Sequence, residues 1–471
     1  MEKRNVLRMI CLGGLLAALL CGSCAHYPAN RLLTDVSPEG GYRLKKPIPC
    51  DRSDEMLLVL TFSGGGTRAA ALAYGVLEQL AQTEVTLEGR KRSLLDEVDA
   101  ISGVSGGSFT AAYYGLYGRQ IFDDFETRFL KKNVQKDLIM ETVSLGNSFR
   151  LLSSKYGRSD LAAEYYDRTL FEGKTFGDIQ AQGGPVILIN ATDLVLGSHF
   201  TFTQDMFDLI CSDVSTFPVS RAVAASSAVP GLLTPITLYN YAGTCNYAPA
   251  DWMKKALSEP SFSRRRTQQA LTYQSYLDSK KRPYIHLIDG GPSDNLGLRG
   301  AIDRLSPLGD IWPSLQSMRW ENTRKVVFIL VNAEKETVTD SDQLERTISS
   351  GDVLKYITNI PISRFNFETV ELFRESARRW VEEIRTHRCK GKTAEGSEDS
   401  ISPDRGPCAD IQFYLVEVDF DSLPAEGERA YYKNLPTSFS LSFEQVDLLR
   451  AAGRRILLHS PEFERLLRDL K

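Results

Sequence analysis

A serine in a glycine-rich turn is the first candidate for chemistry in this chain. Residues 103–107 read Gly-Val-Ser-Gly-Gly and follow the apolar stretch 98–102. A Gly-x-Ser-x-Gly turn between a strand and a helix exposes the serine hydroxyl on a strained backbone, as a nucleophile requires. Side chains at Gly103 and Gly106 would clash in so tight an elbow turn. We therefore predict that Ser105 is the nucleophile of an acyl transfer.

Acyl transfer also needs a base and donors for a developing oxyanion. The glycine run Gly64, Gly65, Gly66 precedes a helical pattern, so its backbone N–H groups are candidate oxyanion donors. Arg68 is expected to hold that loop or to offset negative charge there. Asp289 begins an Asp-Gly-Gly turn at the end of a predicted strand, where sites of α/β sheets form. The alternative for the glycine run is a purely structural turn; it matches neither a P-loop nor GxGxxG.

Histidine does not complete a catalytic triad in this sequence. The histidines after Ser105 are His199, His286, His387 and His459. On one strand, His286 and Asp289 would point to opposite faces, so His286 is predicted to be a buried strand residue. His387 and His459 are expected at the surface, and nothing requires His199 at the site. The pattern favours a Ser–Asp dyad.

The elements that must position these residues are buried strands alternating with helices. Near-continuous apolar runs predict strands, namely 56–62, 98–102, 185–190, 285–289, 325–332 and 411–420. Helices are predicted after the first two of these strands, at 220–228, at 365–387 and, as a pair, at the C-terminus, with a loop at 391–407. The hydrophobic fraction of 42% and net charge of −4 are those of an ordinary globular protein, and nucleic acid is not an expected partner. We expect one α/β domain with helical insertions.

The N-terminus has the pattern of a targeting segment. Three basic residues precede the apolar run 9–20, and Cys24 follows two small residues. This resembles a bacterial lipoprotein processing site, although Cys21 stands where leucine is usual. The prediction is a signal peptide over 1–23, acylation of Cys24 and a tether over 24–54. Plain secretion is the alternative, and in either case the mature protein leaves the cytoplasm.

Export makes disulfide bonds between the remaining cysteines possible. Cys389 and Cys408 flank a polar segment and are the first predicted pair, and Cys211 with Cys245 is the second. Cys50 is left over. The cysteines that remain after processing include no CxxC pair, and the sequence has no histidine cluster, so a structural zinc site is not expected.

These motifs together resemble the patatin-like phospholipase family. The resemblance rests on Gly-Gly-Gly-x-Arg at 64–68, Gly-x-Ser-x-Gly at 103–107 and Asp-Gly-Gly at 289–291, with lesser matches at 190–193 and 225–231. It extends from about residue 56 to 300, with weaker support to about 333. Ala69 departs from the family, which often has glycine there. From the residues alone, 190–193 is expected to be a strand-end turn and 225–231 a packed helix end near the site.

The resemblance implies a three-layer α/β/α patatin-like fold with a mostly parallel central sheet. It places the catalytic domain at 55–335, with 336–471 as a helical and strand extension packed on it. It also implies hydrolysis of lipid acyl esters by Ser105 and Asp289 without metal or cofactor, with glycine amides as the oxyanion hole.

Several alternatives remain open from sequence. The same site would suit an acyltransferase or an esterase for non-phospholipid substrates, and a catalytically silent lipid-binding scaffold is the alternative of another class. The expected partners are membrane lipids, and the expected location is the bacterial cell envelope, lipid-anchored at the outer membrane or on the periplasmic side. The basic clusters at 264–266 and 280–282 would suit anionic headgroups, or they form a solvated face.

Overall fold

The computed structural model describes residues 25–45, 51–260, 263–305, 311–335, 345, 347, 349–389, 408 and 410–470. The predicted signal peptide, Cys24, Cys50 and the predicted loop 391–407 lie outside these residues. The strands are β1 Met56–Phe62, β2 Glu84–Leu87, β3 Arg90–Ser93, β4 Val98–Val104, β5 Val186–Asp193, β6 His199–Thr201, β7 Ile236–Tyr239, β8 Tyr284–Asp289, β9 Lys325–Asn332 and β10 Gln412–Asp419.

The helices lie between and after these strands. They are α1 Gly66–Gln82, α2 Gly106–Tyr117, α3 Ile121–Phe125, α4 Val134–Val143, α5 Leu145–Arg150, α6 Arg158–Tyr166, α7 Phe176–Gln182, α8 Gln204–Leu209, α9 Val219–Ser226, α10 Asp251–Ser258, α11 Arg264–Tyr276, α12 Gly291–Asp294, α13 Arg299–Leu305, α14 Ile311–Met318, α15 Ser350–Cys389, α16 Glu426–Asn434, α17 Phe443–Leu458 and α18 Pro461–Asp469. Among the described residues, no helix combines the length and apolar character that crossing a bilayer requires.

An eight-stranded sheet organises the chain in the order β10-β9-β1-β4-β5-β8-β7, with β6 paired to β5. The five strands from β10 to β5 are parallel, whereas β8 is antiparallel to both β5 and β7. Every residue of β1, β4 and β5 is buried, as the apolar runs predicted. The mostly parallel α/β fold is therefore confirmed.

Sequence patterns missed four short strands and shortened one helix. β2 and β3 form a hairpin whose second strand is Arg-Lys-Arg-Ser, without apolar alternation, and β6 and β7 have only three and four residues. Helix α15 starts well before residue 365 and contains Pro361, which sequence reasoning treats as a helix boundary. Three helices follow β10, where two were predicted.

The segment 25–45 is extended, as expected, but it is packed on the domain. Tyr42 is buried, and its hydroxyl accepts a hydrogen bond from Ile187 N (2.6 Å) and donates one to Ile187 O (3.1 Å). Arg43 forms ion pairs with Asp205 (2.5 Å) and Asp208 (2.6 Å). These residues are held on the domain because their polar and aromatic side chains have partners in the sheet and in α8.

Both predicted disulfides are confirmed. Cys211 and Cys245 are joined with Cα atoms 5.4 Å apart, and Cys389 and Cys408 with Cα atoms 5.2 Å apart. The first bridge closes a segment that contains α9 and β7. The second joins the end of α15 to the residues before β10.

Candidate active site

Ser105 occupies the turn between β4 and α2. Its backbone has φ 48° and ψ −119°, a left-handed conformation that is costly for a residue with a side chain. Ser108 stabilises the turn, since its N–H and its hydroxyl both donate to Ser105 O, at 3.0 and 2.5 Å. The strand–turn–helix geometry predicted for the Gly-x-Ser-x-Gly sequence is therefore present.

Two glycine turns meet at this elbow, and neither tolerates a side chain. A Cβ atom on Gly106 would lie 2.0 Å from Gly66 O, and one on Gly66 would lie 2.4 Å from Ser438 O. Gly66 also has φ +60°, which favours glycine. Backbone contact between the turns fixes the glycine loop beside the nucleophile.

Asp289 reaches Ser105 because β8 is paired with β5 in the antiparallel direction. Val104 pairs with Asn190 of β5, and Asp289 pairs with the next residue, Ala191. The carboxyl ends of β4 and β8 therefore lie on either side of the same point of β5. There the side chain of Ser105 lies close enough to the carboxylate of Asp289 to lower the pKa of that carboxyl group. Both side chains are buried.

The environment of Asp289 favours a proton acceptor near neutral pH. Burial raises the pKa of Asp289 to about 6, against the lowering effect of hydrogen bonds from Gly291 N and Ser105. The N–H of Gly291 donates to Asp289 Oδ1 at 2.8 Å and orients the carboxylate. A carboxylate tuned in this way can accept a proton from a serine hydroxyl during attack.

The glycine loop offers amides next to Ser105. A Cβ atom on Gly64 would lie 3.4 Å from Ser105 Cβ, so the loop borders the nucleophile. The N–H of Gly64 is engaged, because it donates to Asn295 O at 3.0 Å. Among the hydrogen bonds within the described residues, none uses the N–H of Gly65 or Gly66. Within the described residues, these two amides therefore remain available to a ligand, whereas that of Gly64 does not.

Arg68 ties this loop to distant parts of the chain. Its guanidinium donates to Ala333 O (3.0 Å), to Thr437 Oγ1 (3.2 Å) and to Leu435 O. Burial lowers its pKa to about 10, opposed by the charge of Glu334. Of the two roles expected for Arg68, these contacts account for holding the loop.

Ser226 is a positioning residue that sequence analysis did not single out. Its hydroxyl accepts the N–H of Ser105 at 2.9 Å, and its carbonyl accepts the N–H of Gly290 at 3.2 Å. Ala228 O accepts the N–H of Asp289 at 3.0 Å. The end of α9 thus holds both the turn of Ser105 and that of Asp289. The sequence signal for this contact was the small-residue block 225–231.

Asn190 supports the elbow from inside β5. Its Nδ2 donates to Ser102 Oγ (2.8 Å) and Gly103 O (3.1 Å), and its Oδ1 lies 2.9 Å from His199 Nε2. Residues 190–193 are part of the strand and pair with β6 and β8, so the expectation of a strand-end turn is wrong. Because this stretch is fully buried, its polar side chains require hydrogen-bond partners within the protein.

The remaining three histidines have partners other than Ser105 and Asp289. His286 Nδ1 lies 3.0 Å from Thr237 Oγ1, and its side chain is half-buried rather than buried, because β7 and β8 lie at the margin of the sheet. His387 stacks on Trp312, and His459 is exposed, as expected for a terminal helix.

The basic clusters are partly used in the fold, since Arg265 pairs with Asp303 (3.2 Å) and Arg282 with buried Asp193 (2.5 Å).

Comparison with known proteins gives one family match. Residues 60–302 match the family described as patatin-like phospholipase. The structure of human GIVD cytosolic phospholipase A2 is similar at 12% identity, with 88% of this chain and 60% of that chain covered and a TM-score of 0.44. The complex of SpcU with ExoU from the type III secretion system of Pseudomonas aeruginosa is similar at 14% identity, with 95% and 91% covered and a TM-score of 0.22. This chain thus spans about 60% of the length of the human enzyme. No curated protein sequence matches it.

Proposed function

The chain belongs to the patatin-like phospholipase family, and we propose that it hydrolyses acyl esters of lipids through a dyad of Ser105 and Asp289. The substrate class is a phospholipid or lysophospholipid ester. The observation that carries the proposal is that the strained Ser105 and the buried carboxylate of Asp289 meet at the same point of β5.

The geometry supports a two-step reaction. Ser105 Oγ attacks the ester carbonyl carbon while Asp289 accepts the hydroxyl proton, and the N–H groups of Gly65 and Gly66 stabilise the oxyanion. Collapse breaks the bond to the alcohol, which takes the proton from Asp289 and leaves an acyl group on Ser105. Asp289 then takes a proton from water, whose oxygen attacks the acyl carbon. Collapse breaks the bond to Ser105 Oγ, which regains its proton from Asp289, and the fatty acid is released. Transfer of the acyl group to an alcohol instead of water would follow the same route.

The strain at Ser105 argues against a binding-only scaffold. A left-handed serine costs on the order of 1 kcal/mol, and such strain concentrates at functional sites. A lipid-binding protein needs neither that conformation nor a base in contact with the hydroxyl. The arrangement is the one that a nucleophile requires.

Labelling with a fluorophosphonate probe tests the nucleophile. The wild-type protein should be labelled, Ser105→Ala should not, and Ser148→Ala, which changes an exposed serine on α5, should be labelled as wild type. Full labelling of Ser105→Ala would contradict the assignment. A panel of diacyl phospholipid, lysophospholipid and triacylglycerol, each with and without a competing alcohol, then separates hydrolase from acyltransferase.

We also propose that the protein is anchored at the cell envelope by an acylated Cys24. The support is the leader sequence together with two disulfides, which persist in oxidising compartments. Radiolabelled palmitate should be incorporated into the wild-type protein and not into Cys24→Ser. Equal incorporation into both would refute the acylation site, and no incorporation into either would favour plain secretion.

A further inference from the structure

Four exposed aliphatic side chains lie on three neighbouring segments. Leu152 is 61% exposed, Leu194 49%, Val195 68% and Leu232 69%. They belong to the link between α5 and α6, the loop after β5 and the loop after α9. Aliphatic side chains this exposed on adjacent loops mark an interaction site more often than isolated ones do.

Contacts between the segments make them one surface. A groove is lined jointly by Leu151, Lys155, Arg158, Leu194 and Thr234. The guanidinium of Arg158 donates to Gly231 O at 3.3 Å, next to Leu232. We call the four aliphatic residues with Lys155 and Arg158 the basic–apolar rim.

The two cations of the rim are available to an outside partner. Lys155 and Arg158 are both exposed, and neither is in an ion pair with a carboxylate of the described residues. Asp160, which also lines the groove, is buried and paired with Arg221 at 2.8 Å. Uncompensated positive charge beside exposed aliphatic groups suits an anionic lipid surface.

Short stretches of chain join the rim to the turn of Asp289. Ala228 binds the N–H of Asp289, and Leu232 follows four residues later. Val195 likewise lies four residues beyond Ala191, the β5 partner of Asp289. A surface seated on lipid at the rim would bring the ester bond close to the dyad.

The N-terminal segment docks on the same rim. Ser153 Oγ donates to Ala25 O at 2.5 Å, and the N–H of Tyr27 donates to Lys155 O at 2.8 Å. Ala25 directly follows the proposed acylated cysteine in sequence. An acyl chain attached there would enter the bilayer next to the rim.

We propose that the basic–apolar rim is the membrane-facing surface, with the aliphatic side chains inserted among lipid headgroups and Lys155 and Arg158 bound to anionic phosphates. The occupant is an anionic bilayer. The kinetic test of this inference rests on the proposed function. The fluorescence test of which surface meets the bilayer does not depend on catalysis.

Quenching by brominated lipid tests which surface meets the bilayer. Leu232→Trp and the matched variant Leu458→Trp, on α17, replace leucines that are both exposed. On vesicles of brominated phosphatidylcholine with phosphatidylglycerol, the added fluorescence of Leu232→Trp should be quenched and that of Leu458→Trp should not. Quenching of Leu458→Trp alone, or of both equally, would overturn the proposal. Self-association seen by light scattering and abolished by Leu232→Ser, without quenching, would show a second copy as the occupant and overturn it too.

Hydrolysis kinetics test the charges. On phosphatidylglycerol-containing vesicles, the double variant Lys155→Glu with Arg158→Glu should raise the apparent KM at least about 25-fold, from about fivefold for each positive charge lost at the surface. On phosphatidylcholine alone the rise should vanish. The matched variant Lys280→Glu with Lys281→Glu should behave as wild type, and the reverse pattern would assign the surface to the 280–282 cluster.

A soluble short-chain ester separates the two proposals. The rim variants should hydrolyse p-nitrophenyl butyrate at the wild-type rate, because that substrate needs no bilayer. If wild-type protein cleaves neither this ester nor vesicle lipid, the proposed function fails while the quenching result still decides the surface. If it cleaves both and all rim variants retain the wild-type KM on anionic vesicles, the rim proposal fails alone.

Discussion

A single carboxyl group links chemistry and stability in this molecule. Asp289 has its pKa raised to about 6 by burial, yet the proposed mechanism needs it charged. We expect kcat/KM on a soluble ester to fall about tenfold per pH unit below about pH 6. A pH–rate profile measures this, and activity that stays flat from pH 7 to pH 4 would exclude Asp289 as the base.

Removing that charge should stabilise the fold while it inactivates the enzyme. Because the folded-state pKa lies above the ordinary 3.8, the native state holds this proton more tightly than the unfolded state. The contribution of Asp289 to the free energy of unfolding therefore falls as pH rises from about 4 to about 6, and it stays lower above that range. Asp289→Asn should raise the free energy of unfolding by about 1–3 kcal/mol at pH 8 and by much less at pH 4.

The measurement for this variant is urea denaturation at both pH values together with turnover. Turnover should fall on the order of 100-fold or more, as for loss of a general base. A variant that is destabilised at pH 8 yet fully active would contradict both the electrostatic argument and the dyad.

The elbow glycine should tolerate no side chain. Gly106→Ala places a methyl group 2.0 Å from Gly66 O, and the backbone of both turns must move. We expect loss of most fluorophosphonate labelling and destabilisation of about 2–4 kcal/mol. The matched change Gly427→Ala, in helix α16 where nothing lies within 4 Å, should stabilise slightly and label as wild type.

At this scale the sequence predicts the turns that carry Ser105 and Asp289 better than the residues that support them. Ser105 and Asp289 stand in motifs whose neighbours are adjacent in the chain. The partners of Arg68 lie 265 to 369 residues away, so no local pattern reveals them. The engagement of Gly64 by Asn295 is invisible for the same reason.

At the scale of elements, the direction of each strand determines which residues meet at the candidate site. The Asp-Gly-Gly turn was expected at the shared carboxyl edge of a parallel sheet, but β8 is antiparallel to β5. Asp289 nevertheless reaches Ser105 because β8 ends within the sheet, one residue past the end of the β4 ladder. Apolar runs predict that a strand is buried, but they carry no information about its direction.

Ser226, at the end of helix α9, allows a test of a residue that positions Ser105 without taking part in the proposed reaction. Ser226→Ala removes the acceptor of the Ser105 N–H and should lower kcat about tenfold or more with little change in KM or in the pH profile. Ser227→Ala is the matched control, since that hydroxyl donates to Val223 O within its own helix. Equal effects of the two changes on kcat would show that Ser226 acts only through general packing.

At the scale of the whole molecule, we expect both disulfides to affect stability but only one of them to affect kcat. By chain entropy each is worth about 3–4 kcal/mol, for sequence separations of 34 and 19. Only the Cys211–Cys245 segment contains α9 and its contacts to the catalytic turns. We expect Cys211→Ala with Cys245→Ala to lower both thermal stability and kcat, and Cys389→Ala with Cys408→Ala to lower stability alone.

Thermal unfolding and steady-state kinetics of the two double variants check this expectation. A loss of kcat confined to the Cys389–Cys408 variant would contradict the link between α9 and the site. The polar sequence between Cys389 and Cys408 indicated the pairing of these two cysteines, whereas no pattern indicated the docking of residues 25–45. That segment carries no periodicity and is held by single side chains such as Tyr42.

The sheet order has a consequence for how this protein can be divided. The family match ends at residue 302, yet β1, which leads into the glycine loop, is paired along its whole length with β9 at Lys325–Asn332. A fragment that starts at β1 and ends at residue 302 would present the seven buried residues of β1, six of them apolar, as an open strand edge, a template for aggregation. The turns that carry Ser105 and Asp289 thus depend on strands that contribute no residue to the proposed dyad.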